Sequence, residues 1–563
     1  MSEASIAEVT QILTGPSAPL EVEPCTIRGV STRWWKHLPK TIPELVLLSR
    51  GYGERAYLVY EDERLSYEEA FVLIARLATH LVDDCGIRKG DRVALAMRNY
   101  PEWVIAFWAA ACAGAIIVPL NAWWKGSELL YGLSDSGSRL LICDAERASV
   151  LEPQLSLLAL EHVLVARNEG ALQLKGPMHS LASVLAQTTT PNLPNVHVDP
   201  EDDATIFYTS GTTGQPKGAV GTHRNLCANL GSALFTRARA ALRSGRPLLN
   251  PATQLSALLS VPLFHVTGSH SGLAGGTYTG SKLVMMRRWN PERALELIER
   301  EQISQFGGVP SMVWQVLESP DFSRRDTSSV ANVSYGGAPA APELVRRIKE
   351  AFPLCSASNG YGLTETSALT AANGGIDYDR KPDSVGVAVA VCDVKIVDAE
   401  GRELPIGSVG ELCIKGPNVV RGYWNNPEAT AESFSHGWLY TGDIARLDDE
   451  GFIYILDRAK DMLIRGGENV YCVEVEDVLY SHPAVMDAAV LGIGHRVLGE
   501  EVGAVVQLAR GSALSARELS DFAAARLAAF KVPVRVEIRH EPLPRNANGK
   551  IMKRELKKEL GWE

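Results

Sequence analysis

At 563 residues the chain is too long for one core, so about two to four domains are expected. Its 46% apolar and 22% charged residues are ordinary for a soluble globular protein, and a formal charge of −10 argues against nucleic acid or an anionic membrane as the principal partner. Nine scattered cysteines, with no C-x-x-C pair and no zinc-finger spacing, read as free thiols in a reducing cytoplasm.

Residues 1–30 read as a loose, proline-containing lead-in, and the acidic start lacks the apolar core of a signal peptide. From about residue 40 to 385 helical and strand-like segments alternate, which predicts a largely parallel α/β architecture. The pattern predicts helices at 67–84, 128–136 (with Ser127 as N-cap), 291–301 and 342–351, and strands at 91–97, 140–143 and 305–309. The apolar run Trp103–Leu120 imitates a membrane span. Pro101 and Glu102 ahead of it and Gly114 within it instead predict a buried helix, a stop and a buried strand. Thr236–Arg246 is basic and alanine-rich, and reads as a solvated surface helix.

Residues 386–456 change character: short strands at 391–397, 410–415 and 451–456 with Asp/Gly turns predict a small antiparallel β-barrel or sheet. Beyond a boundary at Asp457–Lys460 comes a compact α+β unit. It is read as helices at 472–481, 516–530 and 551–560 and strands at 488–492, 502–508 and 535–539.

The chemistry concentrates in five runs. Tyr208-Thr-Ser-Gly-Thr-Thr-Gly-Gln-Pro-Lys-Gly218 combines three glycines, four hydroxyls and Lys217, the composition of a backbone cradle for phosphate. It lacks Walker A grammar, because its lysine follows proline and precedes glycine. Ala204–Tyr208 before it reads as a strand, and Thr222 after it as the N-cap of a helix from His223. Ser334-Tyr-Gly-Gly-Ala-Pro339 offers a flat backbone for stacking a base. In Asn359-Gly-Tyr-Gly-Leu-Thr-Glu-Thr366, Glu365 is a hard oxygen ligand suited to Mg²⁺ or a helix-capping carboxylate. Asp443 in Tyr440-Thr-Gly-Asp443 can accept from two ribose hydroxyls, with Arg458 nearby as a donor, or it can sit in a local ion pair. Pro544-Arg-Asn-Ala-Asn-Gly-Lys550 is a tight polar turn before a lysine-rich helix.

These runs, in this order, resemble the adenylate-forming superfamily, and the likeness extends from about Leu65 to Arg554. The superfamily covers acyl- and aryl-CoA synthetases, peptide-synthetase adenylation domains and firefly-type luciferases. The resemblance implies an N-terminal ATP- and acyl-binding domain, 1–457, and a small mobile C-terminal domain, 458–563. It implies a carboxylic acid, ATP and CoA as substrates, with Mg²⁺. Thr209, Ser210, Gly211, Thr212, Thr213, Gly214 and Lys217 would hold the outer phosphates. Thr364 would touch the α-phosphate and Glu365 would bind the metal. Gly337, Ala338 and Pro339, with Asn359, Gly360, Tyr361 and Gly362, would flank adenine, and Asp443 and Arg458 would hold the ribose. Lys550 would bridge the reacting carboxylate and the α-phosphate. Lys460 would be the hinge, and Gly466 and Gly467 would face a CoA tunnel.

His265 stands where amino-acid-activating relatives place an aspartate, and it matches a position lining the acyl pocket of fatty- and aryl-acid ligases. The expectation is therefore a stand-alone acid–CoA ligase, with a medium- or long-chain fatty acid or an aryl acid as substrate. No carrier domain is read after residue 563, which weakens the peptide-synthetase reading, and no peroxisomal signal at Leu560–Glu563, which disfavours a luciferase or plant-peroxisomal type; a cytoplasmic monomer or homodimer with room for peripheral membrane contact is expected. The rival readings are an adenylating enzyme that uses an amine or carrier-protein acceptor, and a nonenzymatic nucleotide-binding relative.

Overall fold

The computed structural model describes residues 4–187, 192–209, 215–248, 250, 252–337, 342–353, 355–509, 511–546 and 549–562. Two large sheets dominate it. The first has seven strands, in the order 217–222, 203–209, 116–119, 92–96, 140–144, 162–166 and 178–180. The second has nine, in the order 387–388, 371–374, 356–361, 332–336, 305–308, 256–259, 282–285, 56–60 and 63–66. The inner pairings of both are parallel; both edges of the nine-stranded sheet and the 217–222 edge of the seven-stranded one are antiparallel, while its 178–180 edge is parallel, which matches the α/β expectation.

The membrane-like run folds as the buried helix Pro101–Cys112, a left-handed Gly114 and the buried strand Ile116–Pro119. Trp103, Phe107 and Trp108 are fully buried against other core side chains. Among the described residues no helix is long and apolar enough to cross a membrane.

Four local expectations need correction. The lead-in is ordered: Ile6–Thr14 is a helix, and Val22–Ile27 pairs with Val30–Trp35 as a hairpin. Its apolar side chains Val9, Leu13, Trp34 and Trp35 bury into the main core. The helix Gly126–Ser136 begins earlier than expected, with Lys125 rather than Ser127 at its N-cap, because Glu128 reaches back to accept from the Lys125 backbone N–H at 2.7 Å. The helix read at 516–530 ends at Ala524, with a separate 3-10 turn at Ala529–Lys531. Pro533 disfavours helical geometry at Val532 before it.

Most of the basic stretch belongs to a longer, packed helix rather than to a solvated one. Thr222 caps a helix that runs unbroken over His223–Arg243. Arg239 is buried and donates to the Ala372 carbonyl at 2.7 Å. Arg243 is buried against Asp377, at 2.5 and 3.0 Å. Arg243→Ala is expected to destabilise the fold by about 3 kcal/mol, because Asp377 stays buried with only the weaker Arg380 contact left. Urea unfolding checks this, and an unchanged midpoint would count against it.

The strands Asp393–Val397, Val409–Lys415, Trp438–Leu447, Phe434–Ser435 and Ile453–Arg458 form a five-stranded antiparallel sheet. Among the described residues no pairing closes it into a barrel. Its Ile453 edge is covered instead by the segment at Val385 and Gly386, through hydrogen bonds of 3.0 and 2.9 Å, so closure is not needed to shield it. The last unit is a second five-stranded sheet built on the long pair Val485–His495 and Gly499–Leu508. Helices Cys472–Tyr480 and Ala516–Ala524 pack on it around an apolar core of their own.

Candidate active site

The sheets and the last unit enclose one large cavity of about 1860 Å³. Its walls combine segments that lie far apart in the chain. The strand ending at Thr209 and the strand beginning at Lys217 form one antiparallel pair, so the glycine-rich loop is their connection and not the cap of a helix. Thr209 and Lys217 line the cavity; Ser210, Gly211, Thr212, Thr213 and Gly214 lie outside the described residues.

Gly337, Asn359, Gly360, Tyr361 and Gly362 also line the cavity, whereas Ala338 and Pro339 lie outside the described residues. The two segments are neighbours because Tyr335 pairs with Asn359 and Gly336 with Gly360 in parallel register. A side chain at Gly336 would meet the Gly360 carbonyl oxygen at 2.4 Å, so only glycine permits this close, flat surface.

Thr364 and Glu365 form a short 3-10 turn on the cavity wall. Glu365 Oε1 accepts from the Tyr423 hydroxyl at 2.8 Å, and the Tyr423 ring lies 5.3 Å from Lys217 Nζ. Tyr423 thus ties the phosphate-loop lysine to the acidic residue, and no motif read from the sequence included it. Its only signal was an aromatic residue in the Gly422–Trp424 loop. Glu365 Oε2 makes no hydrogen bond among the described residues, and no cluster of three metal-ligating side chains occurs among them. One free carboxylate oxygen fits a cation that takes most of its ligands from water and phosphate, as Mg²⁺ does.

Asp443 is buried behind the wall rather than on it. Its Oδ2 accepts from the Tyr361 hydroxyl at 2.5 Å, and its Oδ1 pairs with Arg458 Nε at 2.6 Å. Asp443 and Arg458 stand opposite one another on paired strands, which explains why a carboxylate and a guanidinium 15 positions apart meet here. Sequence reasoning placed Tyr361 beside a base but missed its hydroxyl contact to Asp443.

Lys550 enters the cavity from the last unit. Asn546 shapes its turn: the Lys550 N–H donates to Asn546 Oδ1 at 3.0 Å, and the Asn546 N–H donates to the Lys550 carbonyl at 2.9 Å. Arg545 donates to the Gly549 carbonyl and pairs with Asp487 at 2.6 Å. Gly549 has φ +73°, and a side chain there would meet Val309 at 2.6 Å, so the turn abuts the strand end at Gly308–Val309.

Cleft water reaches Lys550, but the surrounding protein strips part of its hydration. That loss pushes its pKa down to about 8; Arg458 adds to the effect, and Asp443 and Glu365 oppose it. His265 shares the chamber. Its Nε2 is buried without a partner among the described residues, and burial, reinforced by the Lys550 charge, pushes its pKa down to about 3, so the imidazole is neutral. Lys460 lines the cavity just beyond Arg458. Gly466 and Gly467 form a hairpin turn with φ +60° and +92° and do not line the cavity in this arrangement.

Residues 49–424 match the AMP-binding enzyme family, and residues 474–550 match the AMP-binding enzyme C-terminal domain. The chain belongs to the AMP-binding enzyme family. Its class is that of the AMP-forming acid–thiol ligases. It is 35% identical to a feruloyl-CoA synthase from Amycolatopsis sp, over 88% of this chain and 94% of the relative. It is 33% identical to a long-chain-fatty-acid–CoA ligase from Bacillus subtilis (strain 168), over 92% and 94%. The structure of an anthranilate CoA ligase in complex with anthranoyl-AMP superposes with a TM-score of 0.81 at 28% identity, covering 93% of this chain and 98% of that one. An amide bond synthetase from Marinactinospora thermotolerans superposes with a TM-score of 0.81 at 26% identity, covering 92% and 99%.

Proposed function

We propose that this enzyme activates a medium- to long-chain or aryl carboxylic acid with ATP and transfers the acyl group to CoA. The observation that carries the reading is Lys550 sharing one cavity with Glu365, Arg458 and the neutral His265.

In the first step a substrate carboxylate oxygen attacks the α-phosphorus, and pyrophosphate leaves with the bonding pair. Two anions must meet, and the Lys550 ammonium offsets their repulsion where charge builds up. Lys217, Thr209 and the loop Ser210–Gly214 hold the departing phosphates. Asn359–Gly362 and the Gly337 segment flank the base, and Arg458 on the cavity wall, with Asp443 behind it, would hold the ribose, Asp443 accepting once its carboxylate is uncovered. Thr364 contacts the α-phosphate. Glu365 would hold Mg²⁺, which supplies charge neutralisation on the phosphates when bound.

In the second step the CoA sulfur attacks the acyl carbon and AMP leaves. For this the unit 458–563 turns about Lys460, bringing Gly466 and Gly467 towards the acyl group. The free cysteines of the described residues suit a reducing, cytoplasmic setting.

ATP–pyrophosphate exchange over a panel of acids, with and without CoA, tests the reading. Exchange with a CoA-dependent thioester product is expected. Exchange without that product shifts the acceptor to an amine or carrier protein, as the likeness to an amide bond synthetase allows. No exchange with any acid would leave only a nucleotide-binding relative.

A further inference from the structure

Beyond the reaction centre the cavity runs between the helix His223–Arg243 and the face of three parallel strands. Near the centre its wall is apolar, with Leu230, Ala233, Leu234 and Leu259. Farther along, the strand face turns polar. Gln305 pairs with Asn332 and Asn332 with Ser356, while Ser334 pairs with Ser358, so these side chains share one face, and all line the cavity.

Arg237 faces this polar floor from the helix. With the Gln305 amide oriented so that its oxygen faces the guanidinium, Oε1 accepts from Nη1 at 2.9 Å and from Nη2 at 2.8 Å. No carboxylate pairs with Arg237 among the described residues, although Arg239 and Arg243 on the same helix are met by a backbone carbonyl and by Asp377. A neutral amide orients the guanidinium but leaves its charge uncompensated. Burial pushes its pKa down to about 10. An enclosed cation without an acidic partner is costly to keep unless a ligand supplies the anion.

We propose that Arg237 determines specificity by capturing a second carboxylate at the far end of the acid substrate, so that the enzyme takes acids with an apolar spacer between two carboxylates. This rests on the acid–CoA ligase reading above. The spacer has a minimum length. The turn that carries Lys550 abuts Val309 at Gly549, and Arg237 is held at Gln305, four positions back along the same extended segment. At about 3.3 Å per residue those two backbone positions lie on the order of 13 Å apart, which favours a spacer longer than that of a three-carbon diacid.

The test compares decanoic with decanedioic acid, alongside an aryl acid with and without a distal carboxylate, in thioester formation and pyrophosphate exchange. The wild-type enzyme is expected to prefer the diacid of one pair by at least about 100-fold in kcat/KM, and which pair responds separates an aliphatic from an aryl spacer. Arg237→Met should reverse that preference, chiefly through KM, without lowering the melting temperature, because it removes an uncompensated cation. Arg237→Lys, which keeps the charge but loses the planar fork, should fall between. A wild-type preference for both monoacids, or an equal loss on both members of a pair in Arg237→Met, overturns the assignment while leaving the ligase reading intact. Absence of exchange with every acid overturns the ligase reading and the assignment with it.

Discussion

Replacing Lys550 with alanine is expected to slow adenylation by about 10²–10³-fold while leaving thioester formation from synthetic acyl-AMP within a few-fold of wild type. The ammonium is surrounded by the groups that would hold ATP: Arg458 and Glu365 both influence its charge, and it lines the same cavity as Thr364. In the proposed mechanism its work belongs to the step in which two anions approach, and the second step contains no such encounter. Equal losses in both half-reactions would refute that division.

The same residue sets an expected pH dependence. In the proposed mechanism the protonated form is the active one, and partial loss of hydration in the cleft pushes its pKa down to about 8. The kcat/KM for adenylation should therefore fall as pH rises through about 8, since kcat/KM reports the unliganded enzyme. Bound phosphate and carboxylate favour the charged ammonium, so the alkaline limb of kcat should lie at higher pH. Lys550→Arg should remove the limb from both profiles, because guanidinium does not titrate in this range. A limb that survives in that variant belongs to another group.

Lys460→Pro is the second large effect. Adenylation should stay within about threefold of wild type, and thioester formation should drop by about 10² or more, since small misplacements of a reacting group cost that much. The substitution breaks no hydrogen bond among the described residues but strains a local turn, in which Ala459 and Lys460 are the two central residues. The Ala459 N–H donates to Gly442 at 2.9 Å, and the Asp461 and Met462 N–H groups both donate to the Arg458 carbonyl, at 2.9 and 3.0 Å. Among the described residues the Lys460 N–H makes no hydrogen bond, so proline removes none there. What it removes is rotation about φ at 460 and helical freedom at Ala459. The small unit is also fastened near this point: Asp457 accepts from the Cys472 N–H at 2.5 Å, at the start of the first helix of that unit. The proposed rotation would pass through the few residues between these anchors and the large sheets. Unchanged overall turnover in Lys460→Pro would place the hinge elsewhere, and Lys460→Ala serves as the control for loss of the side chain alone.

Much of the site was legible because its requirements are local. Gly336 and Gly549 are required by close approaches that no side chain permits, and such needs are written into short runs. The strand before Thr209, the capped helix after Thr222 and the buried helix–strand at Pro101–Pro119 followed from period and caps in the same way. The lead-in did not. Its helix and hairpin are ordered by burying Trp34 and Trp35 in a core made of other segments, and nothing within residues 1–30 announces that partner. Tyr423 was missed for a similar reason, since its meaning lies in reaching Glu365, 58 positions away.

The sequence by itself determined which groups are available: a phosphate-type loop ending in Lys217, a carboxylate at 365, the Asp443 and Arg458 pair, and a lysine after a tight turn at 550. The tertiary structure decided which charges meet. Lys550 reaches the cavity only because its turn packs on Val309, 241 positions back in the chain. Arg237 and Arg243 are chemically identical and six positions apart on one helix, yet that spacing turns them about 120° from each other around the axis. Arg243 therefore faces Asp377 and is neutralised, whereas Arg237 faces the Gln305 amide and the cavity. Residue type sets the charge a side chain brings; the packing of distant segments sets whether that charge is already answered or is left for a substrate.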